Sequence, residues 1–248
     1  MSNLTPRSAR RAGYALHVLT ASGAVIGMLA LQGVVDGEIR IALLWLIASQ
    51  ILDGLDGPIA RGLDVEIHAP LIDGHILDLV VDYVTCVVVP VMFMLKFEML
   101  PIKYEALIAG FIFLTSALWF ARADLETEEH WFNGFPAVWN LAVPTFLVFD
   151  MTPTEVAIFT MVLGMSQLTN FKVPHIVRVD QLRRITLPFG MIYLADLTYL
   201  SWTYSETLGV QSNIVSDAIL IAFPFYLLCF GAYKTFENWR EREKKLSE

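Results

Sequence analysis

The distribution of apolar residues along the chain predicts a series of membrane-spanning helices. Eight stretches lack Asp, Glu, Lys and Arg, and a helix needs about 20 mostly apolar residues to cross roughly 30 Å of hydrocarbon. Two of the shorter stretches, 41–52 and 83–95, reach that length only by extending into the polar segment between them. The eight stretches are 12–35, 41–52, 83–95, 106–121, 130–149, 156–171, 185–195 and 218–233.

These stretches predict an all-α fold, a polytopic membrane helical bundle with about eight transmembrane helices. The distribution of basic residues gives the orientation, because Lys and Arg accumulate in short cytoplasmic loops. With a cytoplasmic N-terminus, 14 of the 17 Lys and Arg residues fall on the cytoplasmic side, and the other side holds Arg40, Lys96 and Lys103. We therefore expect both termini in the cytoplasm.

Composition agrees with membrane embedding. Of the 248 residues, 56% are hydrophobic and 17% are charged, whereas about a quarter are charged in a typical soluble domain. The net charge of −8 argues against a nucleic-acid partner, which requires a basic face. Cys86 and Cys229 lie in apolar runs and are predicted to be core residues, not disulfide partners or metal ligands.

The chain shows no internal repeat and no soluble insert of domain size. We predict one integral-membrane domain over residues 1–248, with short amphipathic segments at 1–13 and 234–248 along the membrane surface. A frayed end without a role is the alternative for the last ten residues.

The polar segment 53–82 carries acidic and small residues at helical spacing. Residues three, four or seven positions apart share one face of a helix. By this spacing one face carries Asp53, Asp56, Gly57 and Ala60, and a face of the following helix carries Gly74, Asp78 and Asp82. Two antiparallel helices joined by a short loop would bring the four carboxylates together.

Four carboxylates at close range predict a divalent metal site. Their mutual repulsion needs cations, and ligation by oxygen alone favours hard ions such as Mg²⁺ or Mn²⁺. Gly57 and Gly74 would allow close approach of a phosphorylated ligand, and Arg61 offers a planar set of phosphate donors. The segment thus predicts metal-assisted chemistry on a phosphate ester. Ion pairs or helix caps at the cytoplasmic surface are the structural alternative.

These residues resemble the signature of the CDP-alcohol phosphatidyltransferase family. The family pattern is D-x-x-D-G-x-x-A-R, a spacer of eight or nine residues, and G-x-x-x-D-x-x-x-D. This chain matches every fixed position between Asp53 and Asp82, but its spacer, 62–73, has twelve residues. The longer spacer, Pro58 and the stretches 132–140 and 171–188 resemble the bacterial phosphatidylcholine synthase branch of the family.

The resemblance implies transfer of a phosphatidyl group from CDP-diacylglycerol to choline, with release of CMP. It implies divalent metal, Mn²⁺ or Mg²⁺, with two ions expected, and a general base at Asp82. It also implies a homodimer in the bacterial inner membrane with its active site facing the cytoplasm. By position, the metal ligands would be Asp53, Asp56, Asp78 and Asp82, and the nucleotide would contact Gly57, Ala60, Arg61 and Gly74.

Choline and the lipid phosphates require further groups. A quaternary ammonium is recognised by aromatic faces, often with a carboxylate nearby, although interfacial tryptophans also serve as simple membrane anchors. The preferred choline candidates are Trp139 and Asn140, followed by Trp119, Phe135 and Glu129. Candidates for the lipid phosphates are Arg122, Lys172 and Arg178, each of which could instead be a topology charge.

Two other functions remain open from the sequence. One is the same chemistry with serine, inositol phosphate or glycerol phosphate as the acceptor alcohol. The acidic loop 123–131 disfavours the anionic acceptors among these. The other is a cation transporter, for which inverted repeats would be typical. The C-terminal half has no second acidic cluster, which weakens the transporter hypothesis.

Overall fold

The structure, a computed structural model, describes residues 5–247, which form two compact units. The first unit comprises 5–97 and 139–143, and the second comprises 98–138 and 144–247. Both are mainly helical, and the described residues also contain a sheet of two short strands. The predicted helical class is therefore correct apart from this small sheet.

The first unit contains five helices, a π-helical segment and the beginning of a further helix. Helix α1 (Pro6–Asp36) starts at Pro6 and is capped by the Thr5 side chain. Proline has no N–H, but the first N–H groups of a helix have no partner within the helix in any case. Gly37 ends α1 in the left-handed conformation with φ of 80°. The elements are α1 (Pro6–Asp36), α2 (Ile39–Gly62), α3 (Val65–His68), α4 (Gly74–Asp82), the π-helix (Tyr83–Val88), α5 (Val89–Lys96) and the start of α7 (Trp139–Val148).

Glycines on α1 let this helix approach its neighbours closely. A Cβ atom on Gly23 would lie 2.6 Å from the Val81 side chain of α4, and one on Gly33 would lie 2.9 Å from the backbone nitrogen of Ala42 on α2. Both separations are shorter than a real Cβ contact, so these positions exclude a side chain. α1 thus packs tightly against the two helices that carry the signature residues.

The π-helix lies between α4 and α5 in a helical stretch from Gly74 to Lys96. Pro90 follows the π-helix. It has no N–H to donate to the carbonyl of Cys86, and its ring also crowds that carbonyl. The backbone before Pro90 accommodates this by widening into a π-helix, a local form frequent near functional sites. The widened turns begin directly after Asp82.

The second unit combines helices with the two-stranded sheet. β1 and β2 pair antiparallel, with Trp131 opposite Pro174. A capping box formed by Thr152 and Glu155 begins α8. The elements are α6 (Glu105–Phe120), β1 (Trp131–Asn133), the remainder of α7, α8 (Pro153–Gln167), β2 (Lys172–Pro174), α9 (Arg183–Trp202) and α10 (Ile214–Ser247).

Three helices of the described chain are long and apolar enough to cross a membrane. They are Pro6–Asp36, Gly74–Lys96 and Ile214–Lys245. Seven of the eight predicted stretches lie wholly or largely in helices. Residues 6–13 and 234–247 are parts of α1 and α10, while residues 1–4 and 248 of the predicted terminal segments lie outside the described residues.

The prediction of one continuous span over 130–149 is wrong. Its first part forms β1 and an irregular segment, and helix α7 covers only ten residues. Gly134 interrupts the segment with φ of 84°, and its N–H donates to the carbonyl of Phe171 at 2.7 Å. The segment is apolar because its side chains are buried: Trp131 and Trp139 are 1% and 0% exposed.

A substitution at Gly231 tests the packing of the second unit. A Cβ atom there would lie 2.0 Å from the carbonyl oxygen of Lys172, so α10 and β2 would have to separate. We expect Gly231→Ala to lower the free energy of unfolding by about 1–3 kcal/mol, as overpacking does. Thermal unfolding in detergent, followed by size-exclusion chromatography, would measure this loss.

Gly110→Ala is the matched control, because Gly110 lies in α6 with open space around its Cβ position. Alanine favours a helix over glycine by about 0.5–1 kcal/mol, so this variant should be at least as stable as the wild type. Equal stability of both variants would contradict the close approach of α10 to β2.

Candidate active site

Helix α2 carries the first two signature carboxylates. Asp53 and Asp56 are three residues apart and therefore lie close to one face of the helix. Asp56 is only 7% exposed, and the Thr20 hydroxyl on α1 donates to its Oδ2 at 2.8 Å. The close packing of α1 on α2 thus fixes one oxygen of Asp56.

Helix α4 carries the other two carboxylates, one turn apart at Asp78 and Asp82. The start of α4 is defined by Asp73, whose Oδ1 accepts from the backbone N–H groups of His75 and Ile76 at 3.0 Å each. Since the helix begins at Gly74, the fourth and eighth residues after it fall on the same face. The cap therefore sets which way both carboxylates point.

The two helices bring carboxylate oxygens together. Asp53, Asp78 and Asp82 each offer one ligand oxygen, and these three atoms lie within 4.8 Å of one another. Asp56 lines the same small cavity, with Thr20 beside it. In the described part of the chain this is the one group of three or more potential metal ligands found at such distances.

The donor set fits a hard divalent cation. All the clustered side chains are carboxylates, and like charges at this distance are stable together only when protons or cations offset their repulsion. Oxygen ligands alone favour Mg²⁺, Mn²⁺ or Ca²⁺ over softer metals. Asp53, Asp78 and Asp82, with Asp56 beside them, could therefore hold such an ion.

The small signature residues lie beside other side chains of the first unit. A Cβ on Gly57 would lie 3.2 Å from Nη1 of Arg61, and one on Gly74 would lie 3.2 Å from the His17 ring. Ala60 packs against the buried cluster of Leu16, Val65 and Ala69. The lack of a side chain at both glycines thus also serves internal packing.

The longer spacer is anchored on α1. Val65 and Ala69 are 5% and 0% exposed, and Val65 begins the short helix α3. Nε2 of the buried His17 ring lies 3.3 Å from the carbonyl oxygen of Ala69. Val65 and Ala69 of the spacer are therefore packed against the helix that also contacts Asp56.

Trp139 and Asn140 belong to the unit that holds the acidic cluster, and both are 0% exposed. Asn140 Nδ2 donates to Gln50 Oε1 at 3.1 Å, and Gln50 Nε2 donates to Asp53 Oδ2 at 3.0 Å. A hydrogen-bond chain thus joins a residue predicted for choline to a residue predicted for metal. Gln50 and Thr20 were missed from the sequence, although a glutamine three residues before Asp53 in an apolar run was a usable signal.

The remaining choline candidates lie in the second unit and have partners there. Trp119 is 3% exposed, and its Nε1 donates to the carbonyl of Asn133 at 2.8 Å. Glu129 forms an ion pair with Lys234 at 2.8 Å. Phe135 is partly buried. The Trp119 ring is therefore built into the unit as a packed, hydrogen-bonded side chain.

Arg122 uses all five of its N–H donors within the second unit. Its Nε and Nη2 bond both oxygens of Asp124 at 2.9 Å, which holds the pKa of that carboxyl below its usual value. The other donors bond Gln167 O, Thr169 O and Asn170 Oδ1 at 3.1, 2.8 and 2.8 Å. This arrangement leaves no donor for a lipid phosphate and ties the loop after α6 to the end of α8.

The other two predicted phosphate contacts are also engaged. Lys172 is 6% exposed, its ammonium donates to Asn133 Oδ1, and burial lowers the pKa of its amine. Arg178 pairs with Glu126 at 2.8 Å. These contacts favour structural roles for both residues over the binding of an external anion.

Comparison with known proteins agrees with the signature and its surroundings. The chain matches the CDP-alcohol phosphatidyltransferase family over residues 15–177, which includes the whole acidic cluster. It is similar to proteins named phosphatidylcholine synthase in several bacteria. The Pseudomonas aeruginosa protein is 35% identical over 77% of this chain and 80% of its own length.

Two further relatives with the same name cover more of the chain. The Borreliella burgdorferi protein is 31% identical over 90% of this chain and 94% of its own length. The Bradyrhizobium diazoefficiens protein is 35% identical over 92% of this chain and 86% of its own length. From the matched signature, its family match and these relatives, we conclude that the chain belongs to the CDP-alcohol phosphatidyltransferase family.

Proposed function

We propose that this chain is a CDP-diacylglycerol–choline O-phosphatidyltransferase (EC 2.7.8.24), which makes phosphatidylcholine and releases CMP. The observation that carries the proposal is the group of Asp53, Asp78 and Asp82, whose ligand oxygens lie within 4.8 Å of one another, in a member of this family. The choice of choline rests on relatives that are named phosphatidylcholine synthase. The chain matches these relatives over most of their length.

In this proposal the four signature carboxylates hold Mn²⁺ or Mg²⁺, with two ions as the family resemblance implies. When bound, the ions offset negative charge on the diphosphate and stabilise the departing phosphate of CMP. Asp53 and Asp56 contribute from α2, and Asp78 and Asp82 contribute from α4. The Thr20 hydroxyl, which donates to Asp56 at 2.8 Å, keeps that carboxylate oriented.

Asp82 acts as the general base for the alcohol. Its carboxylate takes the proton of the choline hydroxyl as the oxygen forms a bond to the phosphorus that bears diacylglycerol. The bond from that phosphorus to the bridging oxygen breaks, and the electron pair leaves with CMP. This direct displacement requires no covalent intermediate on the protein.

The nucleotide is assigned to the signature residues that lie between the two pairs of aspartates. Arg61 would contact a phosphate, and Gly57, Ala60 and Gly74 would border the cytidine. A Cβ atom on Gly57 would lie 3.2 Å from Nη1 of Arg61. A larger residue at this position would therefore displace the guanidinium that is proposed to bind phosphate. Trp139 and Asn140 remain the candidates for choline that share a unit with the carboxylates.

We also propose the membrane arrangement of the enzyme. It has several spans, both termini in the cytoplasm of a bacterial cell and an active site facing that compartment, and it forms a homodimer. Support for the orientation comes from the basic residues, 14 of 17 of which fall on the cytoplasmic side if the chain crosses the membrane once within 130–149. Support for multiple spans comes from three long apolar helices among the described residues.

An assay with parallel alcohols tests the substrate. Purified protein in detergent would receive CDP-diacylglycerol, Mn²⁺ and either choline, serine, inositol phosphate or glycerol phosphate, and CMP release would be measured. We expect choline to react at least about tenfold faster than the others, which requires about 1.4 kcal/mol of selective recognition. Turnover with serine alone would contradict choline as substrate, and no CMP with any alcohol would contradict the enzyme and favour a transporter.

Removal of divalent cations tests the chemistry of the cluster. We expect EDTA to abolish CMP release, because the uncompensated carboxylates would repel the diphosphate. Mn²⁺ or Mg²⁺ in excess should restore the rate, since oxygen ligands favour hard cations. A rate unchanged in EDTA, after prolonged dialysis of the protein, would show that the reaction proceeds without such an ion.

The variant Asp82→Asn tests the general base. The amide keeps the shape of the carboxylate but cannot accept the hydroxyl proton, so we expect at least about a hundredfold loss of transfer. Size-exclusion chromatography should give the wild-type profile. Asp36→Asn, at the far end of α1, is the matched control and should keep the wild-type rate. An Asp82→Asn enzyme with near-normal turnover would exclude Asp82 from proton transfer.

A further inference from the structure

Two amide side chains form a continuous hydrogen-bond chain that ends on Asp53. Gln50 lies on α2, three residues before Asp53, and its Nε2 donates to Asp53 Oδ2 at 3.0 Å. Asn140 lies at the start of α7, and its Nδ2 donates to Gln50 Oε1 at 3.1 Å. Neither amide belongs to the aspartate signature, and both lie in the first unit.

The carboxylate end of the chain fixes the direction of every bond in it. An ionised carboxylate only accepts hydrogen bonds, so Gln50 must turn its NH₂ group toward Asp53. Its carbonyl oxygen then faces Asn140, which in turn has to present its own NH₂ group. Asn140 therefore controls the orientation of Gln50, although it does not itself touch Asp53.

The far end of the chain is fully buried. Asn140 is 0% exposed, as are Trp139 before it and Val143 one turn later. A fully buried amide on a packed helix start has few alternative rotamers. Gln50, which is only partly buried, has a flexible side chain that gains a fixed position from its bond to Asn140.

We propose that Gln50 and Asn140 are positioning residues that orient Asp53 for its divalent cation. The inference rests on the metal-binding part of the proposed function and adds residues outside the signature. Groups that hydrogen-bond to metal ligands fix ligand orientation, and their loss typically weakens metal affinity by about 10–100-fold. Gln50 acts on Asp53 directly, and Asn140 acts through Gln50.

Direct Mn²⁺ binding to the full-length protein in detergent tests the positioning role. The free ion would be quantified by electron paramagnetic resonance during titration, which needs no turnover. Gln50→Met preserves side-chain length and removes the amide, so we expect about 10–100-fold weaker Mn²⁺ binding. Gln32→Met is the matched control, because Gln32 also donates to an aspartate, Asp36 at 2.9 Å, at the far end of α1. It should bind Mn²⁺ within about twofold of the wild type.

The variant Asn140→Asp tests whether Asn140 acts through Gln50. The new carboxylate accepts only, so it would rotate the Gln50 amide and turn its carbonyl oxygen toward Asp53. Charge alone would strengthen cation binding, whereas loss of positioning weakens it, so the two explanations predict opposite signs. We expect weaker binding in the wild-type background and a change below about twofold in the Gln50→Met background. If Gln50→Met does not fold, the sign of the change that Asn140→Asp causes in the wild-type background provides the test.

Each outcome bears on the proposal separately from the overall function. Three results would each overturn the positioning role. They are wild-type Mn²⁺ affinity in Gln50→Met, tighter Mn²⁺ binding in Asn140→Asp, and equal weakening of Mn²⁺ binding by Asn140→Asp in both backgrounds. Absence of Mn²⁺ binding by the wild type would overturn the role and the metal site together. Mn²⁺ binding with the expected losses, but without transfer to choline, would support the role and contradict the proposed substrate.

Discussion

Repulsion between carboxylates is the constraint on which the first unit depends. Three aspartate oxygens lie within 4.8 Å of one another, and two full charges at such a distance repel by about 3–4 kcal/mol at an effective dielectric constant of about 20. Surrounding helices hold them there: α1 packs through Gly23 against Val81, and Asp73 fixes the start of α4. The unit therefore maintains an arrangement that favours the binding of a divalent cation.

Several charged residues of the second unit follow a different principle, because they already have partners within it. Arg122 satisfies all five donors, and Glu129 pairs with Lys234 at 2.8 Å. Buried polar groups need such partners to offset the loss of hydration. These charges stabilise loops and the small sheet, whereas the four signature aspartates of the first unit are clustered together. The contrast separates charges with structural partners from those proposed to act in catalysis.

The sequence alone identified most of the helices and the acidic cluster, because both follow from local spacing. Asp53 and Asp56 on one helix, with Asp78 and Asp82 on the next, could be assigned to shared faces from helical periodicity alone. The span over 130–149 failed because burial inside a protein produces the same apolar composition as exposure to lipid. The partners of Arg122 and the bond from Asn140 to Gln50 depend on contacts across 45 and 90 residues, which no local pattern encodes.

In the proposed enzyme the aspartates of α2 and α4 bind a divalent cation directly. Anomalous X-ray diffraction from crystals grown with Mn²⁺, recorded on both sides of the manganese absorption edge, tests it most directly. We predict anomalous density between Asp53, Asp78 and Asp82, within about 2.0–2.6 Å of their carboxylate oxygens, as for hard cations with oxygen ligands. Absence of density there, in crystals that bind Mn²⁺ elsewhere, would contradict the account.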